Sequence, residues 1–166
     1  MGDQANYATW NDIVGNNNAN MTPGGPLTSD TYNAYGGNDT ITAGAGSDTI
    51  YAGDGNDSIF PGTGGDLVYG GNGQDSVQGS DTDTGNDTIY GEAGNDSLTG
   101  GLGADLIYGG DGDEYIYGAR LETTADAADT LIGGSGNDYI QGMMGSDVLQ
   151  GDDGNDTLVG DGALER

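Results

Sequence analysis

From residue 34 onward an aliphatic side chain recurs at nearly fixed intervals: Ile41, Ile50, Ile59, Val68, Val77, Ile89, Leu98, Ile107, Ile116, Leu131, Ile140, Leu149 and Leu158. The interval is nine residues except at two places, where three residues (79–81) and six residues (118–123) are added. Each aliphatic sits at the centre of a triplet, and a glycine-rich stretch of six residues separates one triplet from the next. Side chains alternate faces along a strand, so each triplet predicts a short β-strand with its middle residue inward and its flanking residues outward. The six residues between triplets predict a tight turn, because glycine enters φ > 0 conformations that other residues avoid.

Aligned on this pattern, residues 34–159 form thirteen nonapeptides. Position 8 is the aliphatic, position 4 is glycine except at Ala127, and position 6 is acidic throughout. The least regular unit is 124–132 (TADAADTLI), which has no glycine. Two nonapeptides make one coil of 18 residues, and coils stacked at the β spacing of about 4.8 Å give a roll roughly 30 Å long. Successive units then lie on opposite sides. One turn column stacks Asp39, Asp57, Asp75, Asp96, Glu114, Asp138 and Asp156, and the other stacks Asp48, Asp66, Asp87, Asp105, Asp129 and Asp147.

Composition sharpens the picture. Only 33% of the 166 residues are hydrophobic, and the net charge is −26, with 28 acidic residues against Arg120 and Arg166. Such a balance normally means disorder, and only the periodicity argues otherwise. The negative field excludes nucleic acid and anionic membrane as partners. With no His, Cys or Lys, the chain has no disulfide, no thiol nucleophile, no Ser-His-Asp triad and no usual zinc ligands. Carboxylates stacked about 5 Å apart repel by roughly 3 kcal/mol per neighbouring pair at an effective dielectric near 20. A cation between successive turns reverses the sign of that interaction, and carboxylates with turn carbonyls offer the hard oxygen ligands that Ca²⁺ prefers.

These nonapeptides resemble the G-G-x-G-x-D-x-U-x repeat of the RTX (repeats-in-toxin) family, the hemolysin-type calcium-binding repeats. The resemblance extends over about three quarters of the chain, in thirteen in-phase copies. It implies an all-β fold: a parallel β-roll, or right-handed β-solenoid, of 18 residues per coil. It also implies Ca²⁺ ions between turns, each shared by the position-6 residues of units n and n+2 and completed by turn carbonyls. The implied ligands are Asp39, Asp48, Asp57, Asp66, Asp75, Asp87, Asp96, Asp105, Glu114, Asp129, Asp138, Asp147 and Asp156. The two columns offer about eleven bridged gaps, and that many divalent ions carry about +22 against the chain's −26. The family further implies a secreted or cell-surface bacterial protein that stays disordered where calcium is scarce and folds where it is millimolar. Its members typically carry an uncleaved C-terminal secretion segment, and the tail at 160–166 shows nothing like it.

Outside the columns, position 9 on the second side reads Tyr51, Tyr69, Tyr90 and Tyr108, which predicts a ladder of stacked tyrosines. Such a ladder either stabilises neighbouring strands or docks onto a partner, a second copy or the N-terminal segment. Residues 1–33 carry no recognised repeat, and solenoids need their open ends covered. Residues 5–14, with Tyr7, Trp10, Ile13 and Val14, predict a capping segment, and 15–33 an irregular linker. Head-to-tail stacking of the roll is a further route to association, so a calcium-dependent structural subunit of a surface layer, adhesin or filament is the alternative to a folding module. No membrane span is expected. Asp81, Asp83, Asp87 and Glu92 partly mimic an EF-hand loop, but Asn86 occupies its obligatory glycine place. An ice-binding roll lacks its threonine row here, and the uniform carboxylates offer no distinct acid/base pair for an enzyme.

Overall fold

A computed structural model describes residues 29–120 and 126–160, together with the backbone of two short strands at Asp12–Val14 (β1) and Asn20–Met21 (β2). The described chain contains no helix and winds as a β-solenoid of about 7 turns with about 18 residues per turn. The later strands are β3 (Thr31–Asn33), β4 (Thr40–Ala45), β5 (Thr49–Asp54), β6 (Ser58–Thr63), β7 (Leu67–Asn72), β8 (Ser76–Gln78), β9 (Thr88–Ala93) and β10 (Ser97–Thr99). They continue as β11 (Leu106–Asp111), β12 (Tyr115–Tyr117), β13 (Thr130–Ser135), β14 (Tyr139–Gln141), β15 (Val148–Asp153) and β16 (Thr157–Val159). Odd-numbered strands form one eight-stranded sheet and even-numbered strands the other, and each strand pairs in parallel with the next of its own sheet. The register shows how the insertions are absorbed. Thr49 pairs with Leu67, Leu67 with Thr88 and Leu106 with Thr130, so each extra stretch lengthens one coil without shifting which face a residue occupies.

The position-8 aliphatics from Ile41 to Ile140 are fully buried between the two sheets, as the periodicity predicts. Leu149 is only partly buried and Leu158 is exposed, because no further coil covers the last pair of strands among the described residues. The strands are longer than three residues on much of the roll. β4 to β7, β9, β11, β13 and β15 run on through positions 1–3 of the following unit, so part of each expected turn is extended chain. In these strands position 1 also faces inward, which is why Ala43 and Ala52 join the core, and Ala34, just past the end of β3, does the same.

Position 2 is where the strand bends, and in the regular units it takes φ > 0 with or without glycine: Gly71 at 113°, but also Tyr35 at 72°, Glu92 at 76° and Asp152 at 70°. Asp83, at position 2 just after the first insertion, is the exception among the described residues. At Gly71 a Cβ would collide with the carbonyl oxygen of Gly53 in the coil beneath. Tight stacking of coil on coil selects glycine at that position.

The roll also begins earlier than the repeat pattern indicates, which corrects the reading of 15–33 as irregular. β2 pairs with Thr40 and Ile41, and β3 pairs with Thr49, Ile50 and Tyr51. Tyr32 fills the place of the inward aliphatic and is fully buried, donating its hydroxyl to the carbonyl of Ala43 at 2.8 Å. A tyrosine with a bonded hydroxyl is as acceptable in this core as isoleucine, but it breaks an alphabet built on Ile, Leu and Val. Of the expected cap, only the backbone at 12–14 is described, and it extends the first sheet by pairing with β3. Tyr7 and Trp10 lie outside the described residues, as does the tail beyond 160.

Candidate metal centre

Every position-6 side chain from Asp39 to Asp138 is almost wholly buried, at 1–3% exposure. Asp147 and Asp156, on the last coil, are partly open. The two columns predicted from the sequence exist, but the carboxylates are tied together in a way that spacing alone does not reveal. Each aspartate reaches back along the stack, and its Oδ1 accepts the backbone N–H of the aspartate one coil earlier. In the second column Asp48 donates to Asp66, Asp66 to Asp87, Asp87 to Asp105 and Asp105 to Asp129, each at 2.8 Å, and Asp129 donates to Asp147 at 3.0 Å. The first column links Asp39 to Asp57, Asp57 to Asp75 and Asp75 to Asp96 at 2.7–2.9 Å, and Glu114 to Asp138 and Asp138 to Asp156 at 3.0 and 3.1 Å. A charge-assisted bond per rung offsets part of the repulsion between carboxylates.

It offsets only part. The second oxygen is buried without a hydrogen-bond partner in Asp48, Asp57, Asp66, Asp75, Asp96, Asp105, Asp129 and Asp138. In the units of Asp75, Asp96, Asp105 and Asp138 that oxygen lies over the Cα of the glycine at position 1: a Cβ on Gly70 would stand 2.7 Å from Asp75 Oδ2. A row of orphaned, buried carboxylate oxygens costs several kcal/mol per group unless a cation or a proton supplies the missing partner. The titration behaviour agrees. Burial foremost, and the carboxylates above and below, push Asp66 and Asp75 up to about 7 and Asp87 and Asp129 up to about 8, while the accepted backbone N–H pulls the other way. Asp96 and Asp105 rise to about 6, chiefly through burial. With hard oxygen donors and no His or Cys in the chain, the site fits a Ca²⁺-type ion.

Glu114, the one non-aspartate in the columns, breaks the linkage. Its longer side chain accepts no backbone N–H with either oxygen, so the rung from Asp96 is missing. Burial, and then the carboxylate of Asp138 against it, push it up to about 9. Glu114→Asp is expected to restore the rung, stabilise the folded chain by about 1 kcal/mol and lower the Ca²⁺ midpoint of folding; an unchanged or raised midpoint in a circular dichroism titration counts against this.

Sequence reasoning missed four features of the site. Asp30 extends the second column, donating its N–H to Asp48 Oδ1 at 2.8 Å; it stands 18 residues before Asp48, a spacing that signals it. A second ladder runs through position 5, where side-chain oxygens accept the N–H one coil later: Asn38 Oδ1 accepts from Asn56 N–H, and Asn56 Oδ1 from Gln74 N–H. The recurring Asn at that position was its only trace. Asp83 and Asp126, from the two irregular units, also turn inward, each with a buried Oδ2 that has no partner. Of the EF-hand-like set, Asp83 and Asp87 converge with Asp66 from the neighbouring coil, whereas Asp81 lies beside Arg120 at 4.0 Å on the surface.

The expected tyrosine ladder is present. Tyr51, Tyr69, Tyr90 and Tyr108 stack with ring centroids 5.0–5.1 Å apart and planes within 8°.

Comparison with protein families matches the model of the RTX calcium-binding nonapeptide repeat (4 copies) at residues 28–59, 60–83, 69–107, 93–120 and 123–158. Comparison with curated proteins and with solved structures returns no match.

Proposed function

The chain belongs to the family of RTX calcium-binding nonapeptide repeats, and from that premise we propose that it is the calcium-binding β-roll module of a secreted bacterial protein. It stays unfolded in the calcium-poor cell interior and folds outside on binding many Ca²⁺ ions. The ions lie between successive turns, held by Asp39, Asp57, Asp75, Asp96, Glu114, Asp138 and Asp156 on one side and by Asp48, Asp66, Asp87, Asp105, Asp129 and Asp147 on the other. That arrangement gives about eleven gaps, and Asp30 extends the second column by one more. The observation that carries this reading is the file of buried, unpartnered carboxylate oxygens. When bound, Ca²⁺ supplies the positive charge and the coordination that these oxygens otherwise lack. The carboxylates stand in near-identical surroundings from coil to coil, which favours binding over catalysis. Far-UV circular dichroism and calorimetry with increasing Ca²⁺ test the proposal: a cooperative gain of β signal with uptake of about ten ions supports it. A spectrum already rich in β structure in excess chelator at pH 8 overturns it.

A second reading, a structural subunit that associates through the tyrosine face, is favoured by the exposure of Tyr51, at 43%, at one end of the stacked ladder. Under this reading Tyr69→Ser together with Tyr90→Ser abolishes association of the calcium-loaded chain by light scattering. If the wild-type chain is monomeric, or the double variant keeps the same size, the ladder only stabilises adjacent strands.

A further inference from the structure

The two irregular units carry aspartates where the regular turns use backbone. In a regular turn the position-4 N–H donates to the position-3 carbonyl of the next coil, as from Gly55 to Asn72, Gly73 to Ala93, Gly94 to Asp111 and Gly136 to Asp153. At the coil lengthened by 79–81, a side chain takes over. Asp83 Oδ1 accepts from Gly64 N–H at 3.0 Å and from Gly85 N–H at 2.9 Å. At the coil lengthened by 118–123 the same replacement recurs, with Gly103 N–H donating to Asp126 Oδ1 at 3.1 Å. Both fall in the second turn column.

Splicing a hydrogen-bond ladder across an insertion does not require charge. The amide oxygen of an asparagine would accept the same two N–H groups and leave no carboxylate to desolvate. Asp83 is instead 5% exposed, and its Oδ2 is buried without a partner. Asp66 Oδ2 is likewise buried and unpartnered. One carboxylate oxygen from each of Asp66, Asp83 and Asp87 lies within 4.8 Å of the others. Two oxygens on one Ca²⁺, each at 2.3–2.6 Å from it, stand at most about 5 Å apart. Three carboxylates at that separation are therefore spaced for a single ion.

We infer that Asp66, Asp83 and Asp87 form a three-carboxylate cation site in the middle of the roll, different in composition from the two-carboxylate gaps of the columns, that takes a Ca²⁺-sized ion more tightly than any other turn. The inference rests on the calcium-binding reading above and refines it: affinity at oxygen sites rises with the number of charged ligands. The first ion captured is then the one at this site. It draws the coils on either side of the insertion together, and the insertion that would weaken the stack becomes the place where folding starts.

Calorimetric titration of the metal-free full-length chain with CaCl₂ alone tests this. The wild-type chain is expected to bind one ion at least about tenfold more tightly than the rest. Asp83→Asn, which keeps the acceptor for Gly64 and Gly85, is expected to lose that phase and retain the others. Asp81→Asn, which removes the same charge from the half-buried neighbour beside Arg120, is expected to leave it intact. An Asp83→Asn isotherm identical to wild type overturns the inference while the calcium-binding reading stands. A wild-type chain that binds no Ca²⁺ overturns both. If Asp83→Asn shows no β signal at saturating Ca²⁺, hydrogen exchange of the wild-type chain with one equivalent of Ca²⁺ decides. Protection appearing first over residues 62–90 supports the site, and protection that is uniform or begins at either end rejects it.

Discussion

In excess chelator the chain is expected to be unfolded at pH 8 and to gain β structure as the pH is lowered towards 4, the reverse of ordinary acid denaturation. The reason lies in the columns. In the folded, metal-free chain Glu114 titrates at about 9, Asp87 and Asp129 at about 8, Asp66 and Asp75 at about 7, and Asp96 and Asp105 at about 6. In an unfolded chain all of them titrate near 4. Burial raises these values, so the folded state holds the protons more tightly than the unfolded one. Their contribution to stability is fully present below about pH 4 and is lost as the pH climbs through the window from 6 to 9. Protons then stand in for the missing ions. In saturating Ca²⁺ the sign reverses, because protons now compete with the metal for the same oxygens. The calcium-loaded roll is expected to weaken as the pH falls through 6. Far-UV circular dichroism against pH, with chelator and with millimolar Ca²⁺, should give two curves of opposite slope. Two curves that fall together towards acid would show that the carboxylates do not hold the stack apart.

The second large effect is positional. Asp105 sits in the middle of its column, where its Oδ1 accepts from Asp87 and its own N–H donates to Asp129. Asp105→Ala deprives the buried Asp87 N–H of its acceptor, a loss of about 1–3 kcal/mol, and removes a proposed ligand from the gaps both above and below. Asp156→Ala removes the acceptor for Asp138 at 3.1 Å and touches only the gap at the outermost described rung. Asp105→Ala is expected to raise the Ca²⁺ midpoint several-fold and to divide the cooperative transition into two, as in a one-dimensional stack cut at its centre. Asp156→Ala should shift the midpoint slightly and keep a single transition. Equal shifts for the two variants would mean that the rungs do not communicate.

The contrast between Asp105 and Asp83 marks how far the primary structure could be read. Asp105 was legible as a column member because it recurs in phase, and so was the burial of Ile107 two residues later. Asp83 was legible only as part of an EF-hand-like string, because nothing local says that Asp66, in the coil beneath, faces it. Asp30 was in phase, but Tyr32 stands where the pattern has Ile, Leu or Val and Thr28 where it has glycine, so the first coil passed for a linker. The extension of strands into positions 1–3 was hidden for a related reason: the glycines there suggest turn, whereas stacking against the coil beneath holds residues such as Gly70 and Gly71 in a strand that bends at φ 113°.

What the amino-acid order determined by itself was the coil: its length, its inward aliphatic and the two acidic columns. All three are periodic properties of one dimension, and a nine-residue period survives reading without any knowledge of contacts. What only the tertiary structure decided was the direction of each carboxylate along the stack, with one oxygen on an amide of the preceding coil and the other left bare, and the meeting of Asp83 with Asp66 across it. Those are relations between coils, set by the 18-, 21- or 24-residue register of pairing, and they exist only once one turn has settled onto another.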